Sequence, residues 1–397
     1  MFDVRELGAR FQLRFDNGAY RRWIAGKEVI LHCHHYNSRL QNTIEGASAV
    51  DGRAIIVRAA EAVFRDHVAN AIAQSDDLAM RLRVARNLYA HLGYGWLDFS
   101  RLDAGTITAT ASHFVEGWNA GFPGRSQPVC SFAEGYLQGA IHAVAGKTVY
   151  VRERECMIAG ASACRFEVVT ERSEPVATHD KTKHAFTQKA PPASLPSNVD
   201  SDKIVQALVE MPIHGNPEGL IPAFGVYLAS TPADFYNRIC LDFITAMGEA
   251  GLASTAKKLL VFDAETCGMN TFRGIMSSPE WDGLVGPMIE QPSDSLFGIV
   301  AVSNALGWGN WHITKHTSPN AVTLESLNGY EAFGFLEHRG AFAKNPQCYM
   351  LTGVAAGIME LVYGSGTIEE RFGTYVAEET ACICCARESC SFEVEKV

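Results

Sequence analysis

The amino-acid sequence predicts an α/β (α+β) fold made of two tandem copies of one unit, each with a mostly antiparallel sheet flanked by helices. Three observations predict this fold. Short strand-like segments alternate with amphipathic helical patterns in both halves. One frame of cysteine and glutamate occurs twice, and a polar, proline-rich stretch lies near the middle of the 397 residues.

The first copy can be divided into elements in chain order. The segment Asp16-Asn17-Gly18 between two apolar runs predicts a hairpin, and EVILHCHH (28–35) then predicts a further strand. Apolar spacing predicts two helices next. Beyond them we expect strands within 95–118, a helix over 130–145, and two short strands, TVYVRERE and CRFEVV.

A linker is predicted between the copies. Residues 170–200 are polar and proline-rich with few large apolar side chains, which is typical of a flexible connection. The predicted domains are therefore 1–169, which includes the hairpin, and 201–397. The halves also share a loop motif, since Leu92-Gly93-Tyr94-Gly95 corresponds to Leu306-Gly307-Trp308-Gly309.

The repeated frame predicts two metal sites. Each copy reads Glu-x2-Cys-x7-Cys, with one more cysteine upstream. Three thiolates and one carboxylate suit tetrahedral Zn²⁺, and four protein ligands indicate a structural ion rather than a catalytic one. Cysteines buried as small apolar residues are the alternative, and either Cys384 or Cys385 could replace a ligand of the second set. The predicted ligands are Cys130, Glu153, Cys156 and Cys164, then Cys348, Glu379, Cys382 and Cys390.

A histidine cluster is the candidate reactive centre. On a strand, His32, His34 and Tyr36 would share one face, with His35 on the other. The imidazoles of His32 and His34 could bind Fe, Cu or a further Zn ion. We predict catalytic roles for His32, His34, His35 and Tyr36. The alternative is a hydrogen-bonded seam or a pocket wall without metal. The second half reads FDAETCG (262–268) at the place we take as equivalent, without histidine.

Composition limits the function classes. A net charge of −10 without a cluster of Lys and Arg argues against nucleic-acid binding. Eleven cysteines in metal-like spacing favour a reducing compartment. Without an 18-residue apolar run or a signal-peptide core, we expect a cytoplasmic protein that does not enter a membrane.

The first frame resembles the 4-vinyl reductase (V4R) domain family. The resemblance rests on Cys130, Gly135-x3-Gly139, Glu153-x2-Cys156, Gly160 and Cys164-x-Phe166, and extends less closely over about 250–394. That family includes sensor domains of phenol-responsive activators and proteins linked to bacteriochlorophyll synthesis. It implies a structural zinc beside a small-molecule pocket, about two zinc ions per chain, and a tandem that forms a pseudo-dimer, with further homo-oligomers left open.

Two functions follow as expectations. The first is a metal-dependent enzyme, such as an oxidoreductase, acting on a small organic molecule at the histidine cluster. The alternative is a non-catalytic sensor or carrier of the V4R type that binds a small organic ligand. A third hypothesis, an assembly factor, uses the tandem fold as an interaction surface.

Overall fold

The computed structural model describes residues 7–177, 185–186 and 193–397. The elements of the first half follow the predicted order closely. They are β1 (Arg14–Asp16), β2 (Arg21–Ile24), β3 (Lys27–Cys33), α1 (His34–Gly46), α2 (Gly52–Ala71), α3 (Leu78–His91), β4 (Gly95–Asp98), β5 (Thr106–Ser112), α4 (His113–Gly121), α5 (Ser131–Ala145), β6 (Val149–Glu155) and β7 (Cys164–Glu171).

The second half repeats this order with additions. Its elements are α6 (Ser201–Glu210), β8 (Ile221–Ala223), β9 (Val226–Pro232), α7 (Ala233–Glu249), α8 (Ala253–Met276), α9 (Pro279–Leu284), α10 (Pro292–Ala305), β10 (Trp311–Thr317), β11 (Ala321–Ser326), α11 (Tyr330–Arg339), α12 (Tyr349–Tyr363), α13 (Ile368–Arg371), β12 (Tyr375–Ala381) and β13 (Cys390–Lys396).

The strands of the described residues form three antiparallel sheets. One four-stranded sheet belongs to each half, with the order β4-β5-β7-β6 in the first and β10-β11-β13-β12 in the second. The third sheet, β1-β2-β3-β9-β8, combines strands of both halves. The predicted mixed fold with antiparallel sheets is therefore confirmed.

The shared sheet relates the halves by an approximate two-fold axis. Strands β3 and β9 pair in a register centred on Leu31 and Ser230, with Val29 opposite Pro232 and Cys33 opposite Leu228. The hairpins that precede them turn alike, because Ala25-Gly26 and Phe224-Gly225 all have positive φ angles. The two halves therefore pair through β3 and β9 about this axis.

Each half extends its hairpin onto the other half. The backbone N–H of Leu31 donates to the carbonyl of Leu306 at 3.0 Å, and that of Ser230 donates to the carbonyl of Leu92 at 2.8 Å. Leu92 and Leu306 begin the repeated loop motif. The exchange means that neither half completes its packing alone.

Glycines allow two helix pairs to approach closely. In the first half, Gly135 and Gly139 on α5 lie against the backbone of α2, and in the second half Gly353 and Gly357 on α12 lie in the same way against α8. A Cβ at any of these glycines would overlap the facing helix. The two helices of each pair therefore pack with their backbones close together.

Two sequence-based assignments are wrong. The strands predicted within 95–118 end at Ser112, because its side chain accepts a hydrogen bond from Val115 N–H and so caps α4. Residues 262–268 lie inside α8 and are not equivalent to the histidine cluster. Matching the two hairpin turns places Thr231 at the position of His32 and Ala233 at that of His34, so the cluster is still found in one half alone.

Candidate metal centres and histidine cluster

The first candidate metal centre lies where α5, β6 and β7 begin or end. Cys130 precedes α5, Glu153 lies in β6, Cys156 follows β6 and Cys164 begins β7. One donor atom from each of the four lies within 4.8 Å of the others, and all four residues are buried. The Sγ atoms of Cys130 and Cys164 are 3.8 Å apart, and those of Cys164 and Cys156 are 3.7 Å apart.

The Glu153 carboxylate is oriented toward this centre. Its Oε2 accepts a hydrogen bond from the backbone N–H of Cys130 at 2.8 Å. Its Oε1 is buried and has no hydrogen-bond partner among the described residues. Burial, together with the neighbouring Cys156, raises the pKa of the Glu153 carboxyl to about 8. A cation at the centre would satisfy this oxygen and stabilise the ionised form.

The second candidate metal centre repeats this geometry. The Sγ atoms of Cys348, Cys382 and Cys390 form a triangle with three sides of 3.7 Å. The Oε2 of Glu379 accepts from the N–H of Cys348 at 2.8 Å, and its Oε1 is again buried without a partner in the described part of the chain. Burial raises the pKa of Glu379 to about 9.

Both centres fit a tetrahedral zinc ion. With Zn–S bonds of about 2.3 Å, two sulfurs of a regular tetrahedron lie about 3.8 Å apart. The measured separations of 3.7 and 3.8 Å agree with this value. Each unpartnered carboxylate oxygen would supply the fourth ligand. Two buried clusters that can hold metal ions are therefore present.

The two extra cysteines of the second half differ in position. The Sγ of Cys384 is buried and lies 3.1 Å from that of Cys382. Cys385 is partly exposed, and its Sγ lies 3.9 Å from that of Cys384. Ile158 and Ala159 occupy these positions in the first half. Cys384 therefore contacts a ligand of the second centre from outside the group of four.

The histidine cluster does not lie on one strand face, as the sequence predicted. Strand β3 ends at Cys33, whose side chain accepts a hydrogen bond from Tyr36 N–H and caps α1, so His34 and His35 lie in the first turn of a helix. His32 and His34 therefore do not share a face. No set of three or more converging His, Cys, Asp or Glu donors includes these histidines within the described ranges. The catalytic roles stay a prediction.

His32 lies in an aromatic contact between the halves. Its ring stacks on Trp308 with the centroids 5.0 Å apart, and it also contacts Tyr36 at 4.5 Å and Tyr236 at 4.8 Å. Burial lowers the pKa of His32 to about 3. The imidazole is therefore neutral at pH 7.

His34 and His35 lie beside the β9 strand of the other half. The Tyr227 N–H donates to Nδ1 of His34 at 3.2 Å, and the His34 and His35 rings are 3.9 Å apart. Burial, and then the neighbouring His35, lowers the pKa of His34 to about 4. Burial also lowers the pKa of His35. These side chains are neutral at pH 7.

A pocket between the halves was not predicted from the sequence. It has a volume of about 290 Å³ and lies between the first hairpin and the helices α7 and α11. Phe186 lies in it, with its ring 5.8 Å from Trp23 and 5.4 Å from Phe333. Buried Arg21 lines the pocket, and its Nε has no partner among the described residues. We call this the interface pocket. Its walls meet only through the hairpin exchange, which local sequence patterns do not show.

A comparison with protein-family models finds a match that contains the first set of cysteine and glutamate donors. Residues 118–170 match the family model described as the V4R domain, and this range contains all four donors of the first centre. No curated protein matches the chain significantly. Within the described ranges, every helix is too short or too polar to span a bilayer.

One solved structure is similar to part of the chain. It is the crystal structure of the phenol-responsive sensory domain of the transcription activator PoxR with phenol, at 21% sequence identity and a TM-score of 0.33. The similarity covers 41% of this chain and 86% of that chain. The family-model match over residues 118–170 confirms the predicted resemblance to the V4R family for this part of the first half.

Proposed function

We propose that this chain is a non-catalytic small-molecule-binding protein of the V4R type that binds a small aromatic ligand in the interface pocket. The observation that carries the proposal is the pocket itself. It lies between two halves and combines four aromatic side chains with seven polar or charged ones, so it can hold a ring that carries a polar group. Its volume of about 290 Å³ is at the lower end of the range for such sites.

The ligand chemistry follows from the pocket walls. The rings of Trp23, Phe186 and Phe333 all line the pocket, so an aromatic ring of the ligand can pack against them. The guanidinium of Arg21 is paired with Glu28, but its Nε–H has no partner among the described residues and can donate to an oxygen of the ligand. A ring that carries one hydroxyl or carboxylate meets both requirements.

The two candidate metal centres complete this proposal as structural zinc sites. Cys130, Glu153, Cys156 and Cys164 would hold one ion, and Cys348, Glu379, Cys382 and Cys390 the other. Four ligands in each set leave no open position for chemistry. Each ion would tie the end of a sheet to the start of a long helix, so its binding would stabilise the fold.

We also propose the domain limits and the location that the sequence suggests. The first domain spans 1–169, the linker 170–200 and the second domain 201–397, with the hairpins exchanged as described. None of the eleven cysteines is paired in a disulfide, which supports a reducing, cytoplasmic environment.

Phenol is a suitable probe, because it combines one ring with one oxygen, and cyclohexanol is the matched control without a π system. We expect phenol to quench tryptophan fluorescence saturably and to be recovered chemically unchanged. Phe333→Ala removes one wall and should weaken binding at least tenfold. Glu116→Ala changes the equivalent position of the other half and should leave binding unchanged.

Two results would contradict the proposal. Equal phenol affinity in Phe333→Ala and the unaltered protein would exclude the interface pocket as the site. Conversion of phenol by the metal-loaded protein, abolished by His32→Ala or His34→Ala, would favour the enzyme instead. The neutral, scattered histidines give that alternative less support than the pocket gives to binding.

A further inference from the structure

The first half carries a groove lined by six arginines. The groove has a volume of about 770 Å³ and lies beside α2, α5 and β6. We call it the arginine groove and define it by Arg53, Arg58, Arg125, Arg152, Arg154 and Arg172. It is distinct from the interface pocket, which these residues do not line. Five acidic residues, Glu45, Asp51, Glu61, Glu134 and Glu153, also line the groove, so the arginines outnumber the acids by one.

Part of this positive charge is neutralised within the protein. Glu134, which is fully buried, pairs with Arg53 at 2.8 Å and with Arg152 at 3.3 Å. Arg172 pairs with buried Glu61, and Arg154 pairs with Glu167 at 2.9 Å. These ion pairs hold four of the guanidinium groups in place.

Three hydrogen-bond donors of the groove lack such partners. Arg58 and Arg125 contact no carboxylate among the described residues, and Arg125 lies over the ring of Trp118 at 4.5 Å. Gln138 is only 2% exposed, and the described part of the chain provides no hydrogen-bond partner for its amide. The Gln138 amide lines the groove, so a ligand or water in the groove can hydrogen-bond to it.

The second half lacks this groove, although its helices pack in the same way. Gly135 faces Val57 as Gly353 faces Val261, which aligns Arg58 with Phe262. The position of Gln138, next to Gly139, is likewise Ala356 in the second half. Polar groups that only one copy retains are not required by the shared fold.

An insertion lies beside the equivalent surface of the second half. The additional residues before β12 include α13 and Phe372, whose ring lies 5.0 Å from that of Phe262. The position of Arg58 in the first half is thus taken in the second half by an aromatic ring, Phe262, which is 45% exposed.

We propose that the arginine groove binds a small organic anion that bears a carboxylate or phosphate group. Arg58 and Arg125 neutralise the anion, since guanidinium groups bind both kinds of oxyanion through paired hydrogen bonds. The Gln138 amide binds a further oxygen, and the Tyr150 side chain contacts the carbon skeleton. This site is independent of the ligand proposed for the interface pocket.

Calorimetry on the full chain tests the proposal with three probes: succinate, inorganic phosphate and uncharged succinamide. We expect saturable binding of succinate or phosphate but not of succinamide, and the preferred anion identifies the group recognised. Arg58→Phe and Gln138→Ala install the residues of the second half, and each should weaken binding at least tenfold. Arg101→Ala removes an exposed arginine outside the groove and is the matched control.

Two results of this experiment would overturn the proposal. Absence of saturable binding for both anions overturns the proposal, and so does equal affinity in Arg58→Phe and the unaltered protein. Because Arg58 is exposed, Arg58→Phe should keep the melting temperature of the unaltered protein. Phe333→Ala should leave anion binding intact, so failure of the aromatic site and failure of this one are distinguishable.

Discussion

Replacement of His32 by phenylalanine tests whether this side chain is a buried structural group. The imidazole is 2% exposed and stacks on Trp308, and burial lowers its pKa to about 3. A phenylalanine retains the ring contact but cannot titrate. The variant should therefore change how the free energy of unfolding depends on pH.

The sign follows from proton uptake. As pH falls below 6.5, the ordinary pKa of histidine, His32 takes up a proton in the unfolded chain but not in the folded one. The unfolded state is stabilised, and the free energy of unfolding falls. At pH 5 the loss is 1.5 pH units multiplied by about 1.36 kcal/mol, or about 2 kcal/mol.

The assay is urea unfolding at pH 7 and pH 5. The unaltered protein should lose about 2 kcal/mol more than His32→Phe between these two values, because all other titrating groups are common to both. Tyr36→Phe, which changes a neighbouring ring that does not titrate in this range, should keep the pH dependence of the unaltered protein. Equal pH dependence in His32→Phe and the unaltered protein would refute the reasoning and reopen the reactive-centre hypothesis.

Two further predictions concern the helix packing and the metal centres that the two halves share. Gly353→Ala places a Cβ 2.7 Å from that of Ala264 and should lower the free energy of unfolding by about 1–3 kcal/mol, which is measured as a lower melting temperature. Gly46→Ala is the control, because a Cβ there has open space and should leave the melting temperature unchanged. Equal melting temperatures in the two variants would argue against close helix packing. Glu379→Ala should retain its zinc, measured by mass spectrometry of the native protein, because Cys384 can move into the vacant position, whereas Glu153→Ala should lose it. Loss in both variants would show that Cys384 does not substitute.

Much of the candidate metal chemistry could be predicted from the sequence. The spacing Glu-x2-Cys-x7-Cys corresponds to the end of one strand, a tight turn and the start of the next, so Glu153, Cys156 and Cys164 approach through local structure. Cys130 required the longer pattern of an upstream cysteine before a glycine-containing helix. Such short-range geometry is encoded in few residues, and the structure brings these donors together as expected.

The geometry of the histidine cluster was harder to predict because it depends on a single helix N-cap, Cys33. Apolar alternation continues through EVILHCHH, and nothing in the pattern indicates that Cys33 accepts the Tyr36 N–H and starts a helix at His34. Thr231 can be matched to His32 only from the positions of the two hairpin turns in the structure, because the turns have little sequence in common.

The interface pocket could not be predicted at all. Its walls come from the first hairpin, the linker and α11, and they meet because each half places its hairpin on the other. Trp23 and Phe333 are 310 residues apart. Contacts over such separations depend on tertiary packing, which single-sequence periodicity does not report.

The metal content of the purified chain tests the central claim most directly. Two tetrahedral centres predict two zinc ions per chain, one in Cys156→Ser and one in Cys382→Ser, with a lower melting temperature in each variant because metal binding contributes to folding. Fewer than two zinc ions in the unaltered protein, or two in either variant, would contradict the account.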